Sequence, residues 1–255
     1  VETGGAEVLK GAVDMADAGT MRLRIQRFDP SKEAVPHFQT FEVPRRPGLT
    51  VLDGLFYILE RLDGSLAFRY SCRSAICGSC AMTINGAPRL ACQTLVEGLG
   101  RGEIAVKPLP HLTVERDLAV DLRPFFAAYE RIRPYLLATS AAPAKERLQG
   151  PAERRAIDEM TMCILCASCY ASCQVVWTSE EYLGPQALLM ANRFVQDSRD
   201  GAKEERLDHL ANEEGIWRCH TMFNCVVACP KNLNPTWSIQ QLKRRAAKRR
   251  LTGRS

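Results

Sequence analysis

The chain has no apolar run approaching the roughly 18–20 residues that a membrane-spanning helix needs. It also opens without the charged-then-apolar leader of a secretory signal. Val1 to Thr20 is small, mixed and partly acidic, and is expected to be a flexible extension on a protein kept in the cytoplasm. The composition of disorder is missing as well, since hydrophobic residues make up 46% and charged residues 25% of the 255 residues. No nucleic-acid reading module is present, so the basic run Lys243, Arg244, Arg245, Lys248, Arg249 and Arg250 has two readings. It is either a solvated helix face or an anchor on an anionic leaflet or acidic partner. An even number of cysteines is lacking too. Eleven thiols paired as disulfides would leave one over and would need an oxidising compartment. They fall instead into three tight groups, at 72–92, 163–173 and 219–229, as metal ligands do.

The first half reads as strands around one helix. Met21, Leu23 and Ile25 alternate with Arg22, Arg24 and Gln26, the two-residue period of a half-buried strand. A second strand is predicted over Phe38–Val43. Thr50 with Asp53 opens a helix whose apolar face is Val51, Leu52, Leu55, Ile58, Leu59 and Leu62. Asn85-Gly86 is a hairpin signal between Ala81–Ile84 and Pro88–Cys92, and a last strand runs over Glu103–Lys107. The second half reads as helices: 125–137 disturbed at Pro134, 151–160 opened by Pro151, 186–198 behind Gly184-Pro185, 203–214 stopped by Gly215, and 236–250. The expectation is an α+β fold with a boundary between about 115 and 125, dividing the chain into 1–20, 21–120 and 121–255.

The first cysteine group is Cys72-x4-Cys77-x2-Cys80 with Cys92 further on, the plant-type spacing for a [2Fe–2S] cluster. Three thiolates from one loop must converge on a small inorganic core, so Ser71, Ser74, Gly78 and Ser79 supply small side chains and conformational freedom. The fourth thiolate, Cys92, is expected on the strand after the hairpin. Four thiolates also suit zinc, but this loop spacing is unusual for it. The second group, Cys163-x2-Cys166-x2-Cys169-x3-Cys173, is the bacterial-ferredoxin run, in which the fourth cysteine serves the other cluster of a pair. The third, Cys219-x2-Met222-x2-Cys225-x3-Cys229-Pro230, repeats that template with methionine at its second position.

Exchanging fourth ligands by that rule gives Cys163, Cys166, Cys169 and Cys229 a [4Fe–4S] cluster. Cys173, Cys219 and Cys225 are left with three thiolates, and a cuboidal cluster short of a thiolate corner loses that iron to become [3Fe–4S]. Met222 is a weak ligand and an apolar filler for the vacant corner. The partition uses every cysteine. A three-thiolate cluster carries less negative charge, so the higher potential is expected there.

This order of motifs resembles the iron–sulfur subunit of succinate dehydrogenase and fumarate reductase, respiratory complex II. The resemblance runs through Ser71-Cys72-Arg73, Cys77-Gly78-Ser79-Cys80, Leu90-Ala91-Cys92, Glu115-Arg116-Asp117-Leu118, Asp197-Ser198-Arg199-Asp200, Cys229-Pro230-Lys231 and Asn234-Pro235. It implies an N-terminal β-grasp ferredoxin domain followed by an all-helical domain resembling bacterial ferredoxins. It implies a flavoprotein partner carrying FAD and the dicarboxylate site, membrane anchor subunits with or without haem b, and a membrane quinone as electron acceptor or donor. The complex would lie on the cytoplasmic face of the inner (plasma) membrane, with no catalytic residue on this chain. The resemblance further implies a quinone site at Trp177, His220 and Lys231, with the Lys231 charge placed to offset a cluster. The sequence departs from the family at Gln174, where proline is usual, and by a single tryptophan where many members have two. A relay subunit of a thiol-linked or glycolate-type flavoprotein oxidoreductase and a free two-domain ferredoxin are the alternatives; Met222 and the interface motifs disfavour them.

Overall fold

The computed structural model describes residues 19–252. The extension expected over 1–20 lies outside that range except for Gly19 and Thr20, and Thr20 already begins the first strand.

A five-stranded mixed sheet forms the first half. Its strands are β1 (Thr20–Arg27), β2 (His37–Pro44), β3 (Ala81–Ile84), β4 (Ala87–Leu90) and β5 (Ile104–Lys107), in spatial order β2-β1-β5-β3-β4, with β1 and β5 parallel and the other neighbours antiparallel. The alternation read along β1 is the burial pattern observed, and it continues one step further than expected, to Arg27. That buried guanidinium is matched on every side. It donates to Asp117 at 3.0 Å, to Asp63 and Gln39 at 2.7 Å, and to Ser65 at 2.9 Å. A charge so enclosed is tolerable because its donors are paired.

Helix α1 (Val51–Tyr57) packs on the sheet. It is opened by the Thr50–Asp53 capping box, in which each side chain accepts the other's backbone N–H, at 3.2 Å and 3.0 Å. The helix then widens into a π turn at Ile58–Leu62. This wider winding rotates Leu62 off the apolar face, and it is exposed rather than core as the helical spacing suggested. Asn85 and Gly86 have φ of 48° and 81°, the two positive values of a tight hairpin between β3 and β4. Strand β4 ends at Leu90, so Cys92 sits in the turn beyond it and not on the strand.

The boundary region holds a hairpin that the pattern did not reveal, β6 (Val114–Arg116) with β7 (Ala119–Val120). Asp117 lies at its tip and fastens three segments, accepting from Arg27, from the Phe28 N–H at 3.0 Å and from the Ala67 N–H at 2.9 Å.

From here on the elements are α2 (Arg123–Arg131), α3 (Pro151–Thr161), α4 (Ser168–Ala171), α5 (Gln174–Thr178), α6 (Gly184–Gln196), α7 (Lys203–Leu210), α8 (Asn224–Val227) and α9 (Pro235–Thr252). Helix α2 stops well short of Leu137, because Pro134 removes a donor and Arg133 already turns left-handed at φ 48°. Helix α6 is the hub: Ala187, Leu188, Ala191, Phe194 and Val195 are buried against Ile239, Leu242 and Ala246 of α9 and Leu207 and Leu210 of α7. The turn after α6 is held by charge. Asp200, fully buried, takes Arg206 at 2.9 Å, and Arg206 also donates to the carbonyls of Ile132, Arg133 and Tyr135. Among the described residues no helix is long and apolar enough to cross a membrane.

The basic run on α9 is partly committed inside the molecule. Arg249 pairs with Asp208 at 2.7 Å, Arg250 donates to the Ala211 carbonyl at 3.3 Å, and Lys243 donates to the Cys219 carbonyl at 2.8 Å. These contacts favour neither a bare solvated stripe nor a free anchor for the whole run.

Candidate metal centres

All eleven cysteines are free thiols, none in a disulfide. Cys72, Cys77 and Cys80 of the first group occupy the loop between α1 and β3, and Cys92 the turn after β4. Arg73 and Ala75 at φ 55° and Gly78 at φ 73° wind the loop tightly. That winding turns backbone donors onto sulfur. Cys72 Sγ accepts from the N–H groups of Ser74, Ile76 and Cys77 at 3.3–3.4 Å, Cys77 Sγ from Cys72 N–H at 3.4 Å, and Cys92 Sγ from Ala75 N–H at 3.3 Å. Those donors bring the Cys72 thiol down to about 6, so it is held ready as a thiolate. Burial does the opposite at Cys80, pushed up to about 12. A thiolate there would need cations beside it, which the iron of a bound cluster would supply.

The second and third groups are repeats of one loop. Leu165 and Ala167 have φ of 54° and 62°, and Thr221 and Phe223, at the same offsets from Cys163 and Cys219, have 59° and 62°. A one-turn helix follows each, α4 and α8, at the same offset again. These short helices went unread because four residues carry no periodicity. In this repeat Met222 stands where Cys166 stands, each between two left-handed residues at matching spacing.

Two cavities then bring the distant cysteines together. One is lined by Cys163, Cys166, Cys169 and Cys229, the other by Cys173, Cys219, Cys225 and Met222. Neither lining contains a carboxylate, which suits an anionic cluster. Burial raises the thiol pKa of Cys166, Cys169, Cys173 and Cys225, and takes Cys163 to about 11. Hydroxyls stand at one sulfur of each site: Ser168 at 3.4 Å from Cys166 and Thr236 at 3.3 Å from Cys225. A ligating thiolate has no proton to give, so in a loaded site both hydroxyls donate. The donor set therefore fits iron–sulfur clusters. Among the described residues no group of three or more His, Cys, Asp or Glu side chains is placed to hold a single metal ion.

The loops of the first two groups touch. A Cβ placed on Gly78 would lie 2.8 Å from the Ile164 carbonyl oxygen and 2.9 Å from Cys166 Cα.

Trp177, His220 and Lys231 are not gathered into one pocket. His220 lines the cavity of Cys173, Cys219 and Cys225, and Lys231 that of Cys163 and its partners. Trp177 lines a larger open cleft with Lys107, His111, Ser172 and Asn224. Its indole N–H donates to the Ala171 carbonyl at 2.8 Å, and its ring stacks on His111 with centroids 3.4 Å apart. No signal in the sequence pointed to His111, which comes from the loop after β5.

Residues 22–127 match a family model described as a 2Fe-2S iron-sulfur cluster binding domain, and 159–233 match a 4Fe-4S dicluster domain. The chain is 41% identical over 227 residues to a fumarate reductase iron-sulfur subunit of Mycobacterium tuberculosis, covering 88% of this chain and 92% of that one. It is 45% identical over 234 residues to a mitochondrial succinate dehydrogenase [ubiquinone] iron-sulfur subunit of Oryza sativa, covering 90% and 83%. A chain of the Mycobacterium smegmatis Sdh1 complex, solved in the apo form, superposes with a TM-score of 0.81 at 28% identity, covering 92% of this chain and 98% of that one. With both cluster-binding domains matched and such relatives aligned over nearly its whole length, the chain belongs to the succinate dehydrogenase and fumarate reductase iron–sulfur subunit family, whose members are electron-transfer subunits of oxidoreductase complexes.

Proposed function

We propose that this chain is the electron relay of a succinate:quinone oxidoreductase, joining the FAD of a flavoprotein partner to a membrane quinone. The observation that carries the reading is the pairing of distant cysteines in two cavities, Cys229 with the second group and Cys173 with the third. In this reading Cys72, Cys77, Cys80 and Cys92 hold [2Fe–2S], Cys163, Cys166, Cys169 and Cys229 hold [4Fe–4S], and Cys173, Cys219 and Cys225 hold [3Fe–4S]. The clusters supply one-electron steps with little rearrangement. The protein fixes their spacing, screens them from water and sets their potentials through charge and hydrogen bonds.

The sheet with α1 across it is a β-grasp ferredoxin domain over 21–120, and the helices form a ferredoxin-like domain over 121–255. Anchor subunits, with or without haem b, hold the chain at the cytoplasmic face of the membrane. His220 stands at the quinone end, next to Cys219 and able to pass a proton. Trp177 contributes ring surface, since its N–H is already engaged, and Lys231 contributes charge beside the four-cysteine cluster.

Electron paramagnetic resonance of the purified complex during reductive titration tests the assignment. The expected result is an oxidised-state [3Fe–4S] signal, with [2Fe–2S] and [4Fe–4S] signals appearing on reduction. A preparation rich in iron and sulfide with no [3Fe–4S] signal would overturn the three-cysteine site.

A further inference from the structure

Gln186 is the third residue of α6, and its side chain is only 2% exposed. Among the described residues, neither its amide nitrogen nor its amide oxygen has a hydrogen-bond partner. An unpartnered buried amide is disfavoured, so a residue kept in this state needs a partner beyond the described residues. The side chain lines the same cavity as Cys163, Cys166, Cys169 and Cys229. Among the described residues, apart from those thiols, no other uncharged polar side chain lines that cavity, and Lys231 is the one charged side chain there.

The backbone around it has the same polarity. The first turn of α6 lies between the two cavities, with Gln186 facing one and Pro185 the other. The unsatisfied N–H groups and positive dipole end of a helix favour negative charge beside them. An anionic cluster held by the four cysteines is such a charge.

We infer that the Gln186 amide donates a hydrogen bond to the cluster held by Cys163, Cys166, Cys169 and Cys229, and thereby raises its reduction potential. The inference rests on the assignment of [4Fe–4S] to those cysteines. Reduction of a bound cluster would add one electron and so one unit of negative charge. A donor aimed at its sulfur gains strength with the added charge, so the reduced state is favoured. Gln186 acts as a positioning and tuning residue, with no part in dicarboxylate chemistry.

The test is a redox titration of the intact complex carrying Gln186→Met, which keeps the side chain's length and removes the donor. At a fixed potential the reduced-to-oxidised ratio of the [4Fe–4S] signal should fall by roughly threefold to tenfold, the part of a charge-assisted hydrogen bond's strength that is gained on reduction. The [2Fe–2S] and [3Fe–4S] midpoints should stay in place. Gln186→Leu, which removes donor and acceptor together, should lower the ratio by a similar factor. Unmoved [4Fe–4S] midpoints in both variants, with cluster content intact, would refute the inference and leave the cluster assignment standing. A wild-type complex without a [4Fe–4S] signal would instead sink the assignment and the inference with it. Should the variants assemble poorly, pulsed resonance on wild-type complex with an isotope-labelled glutamine amide decides the same question. A coupling between that nitrogen and the reduced cluster supports the contact, and its absence overturns it.

Discussion

Replacing Met222 by cysteine is expected to convert the three-cysteine site into a second four-thiolate site. The backbone is already shaped for it: Thr221 and Phe223 repeat the left-handed turns of Leu165 and Ala167, and Met222 lines the cavity with Cys173, Cys219 and Cys225. A fourth thiolate can hold the corner iron that a thioether cannot. The oxidised-state [3Fe–4S] signal should vanish, a further [4Fe–4S] signal should appear on reduction, and bound iron should rise by one atom per chain. The added negative ligand should also pull the midpoint down, leaving an uphill step before the quinone. Succinate-driven quinone reduction should then fall by roughly tenfold or more, since each tenfold in a one-electron equilibrium is about 59 mV. Spectra and iron content identical to wild type would contradict the ligand partition.

The second large effect is expected at Gly78. This buried residue has φ +73°, where an L side chain is strained by about 1 kcal/mol. A Cβ there would also sit 2.8 Å from the Ile164 oxygen and 2.9 Å from Cys166 Cα, both backbone atoms of the second cysteine loop. Neither atom can swing aside as a side chain would, so relief requires the two loops to part. Gly78→Ala should therefore cost roughly 2–4 kcal/mol of stability, read as a lower thermal midpoint. Freeze-quench experiments should show slower electron passage from the [2Fe–2S] to the [4Fe–4S] signal, because tunnelling weakens with distance. Gly86→Ala is the matched control. Its φ is +81° but a Cβ there meets nothing within 4 Å, so only the backbone strain of about 1 kcal/mol applies. If the two variants lose stability equally and transfer is unchanged in both, the contact between loops has no functional weight.

The expectations that held share one physical trait. β1, the Thr50 cap and the Asn85-Gly86 hairpin are written in short-range patterns, because the rules that make them act over a few residues. The failures share another. Leu62 left the core through a change of helical winding, Cys92 fell one turn past its strand, and α2 ended early, all at element ends where competing turns decide the outcome. The β6–β7 hairpin was unreadable because two- and three-residue strands have no detectable alternation. They are held instead by Asp117 reaching Arg27, Phe28 and Ala67 across the chain.

The sequence by itself determined the three cysteine groups, the repeat that places Met222 against Cys166, and the proposed exchange of Cys173 and Cys229. Loops that wrap an inorganic core must carry their ligands at fixed short spacings, so that information is local. Only the tertiary structure decided what surrounds those groups: Gly78 pressed against the second loop, His111 stacked on Trp177, and Gln186, beside four thiols, left without a partner among the described residues. It also set Trp177, His220 and Lys231 apart in separate cavities. Such contacts join residues far apart in the chain, where neither spacing nor periodicity records a neighbour, and packing alone chooses it.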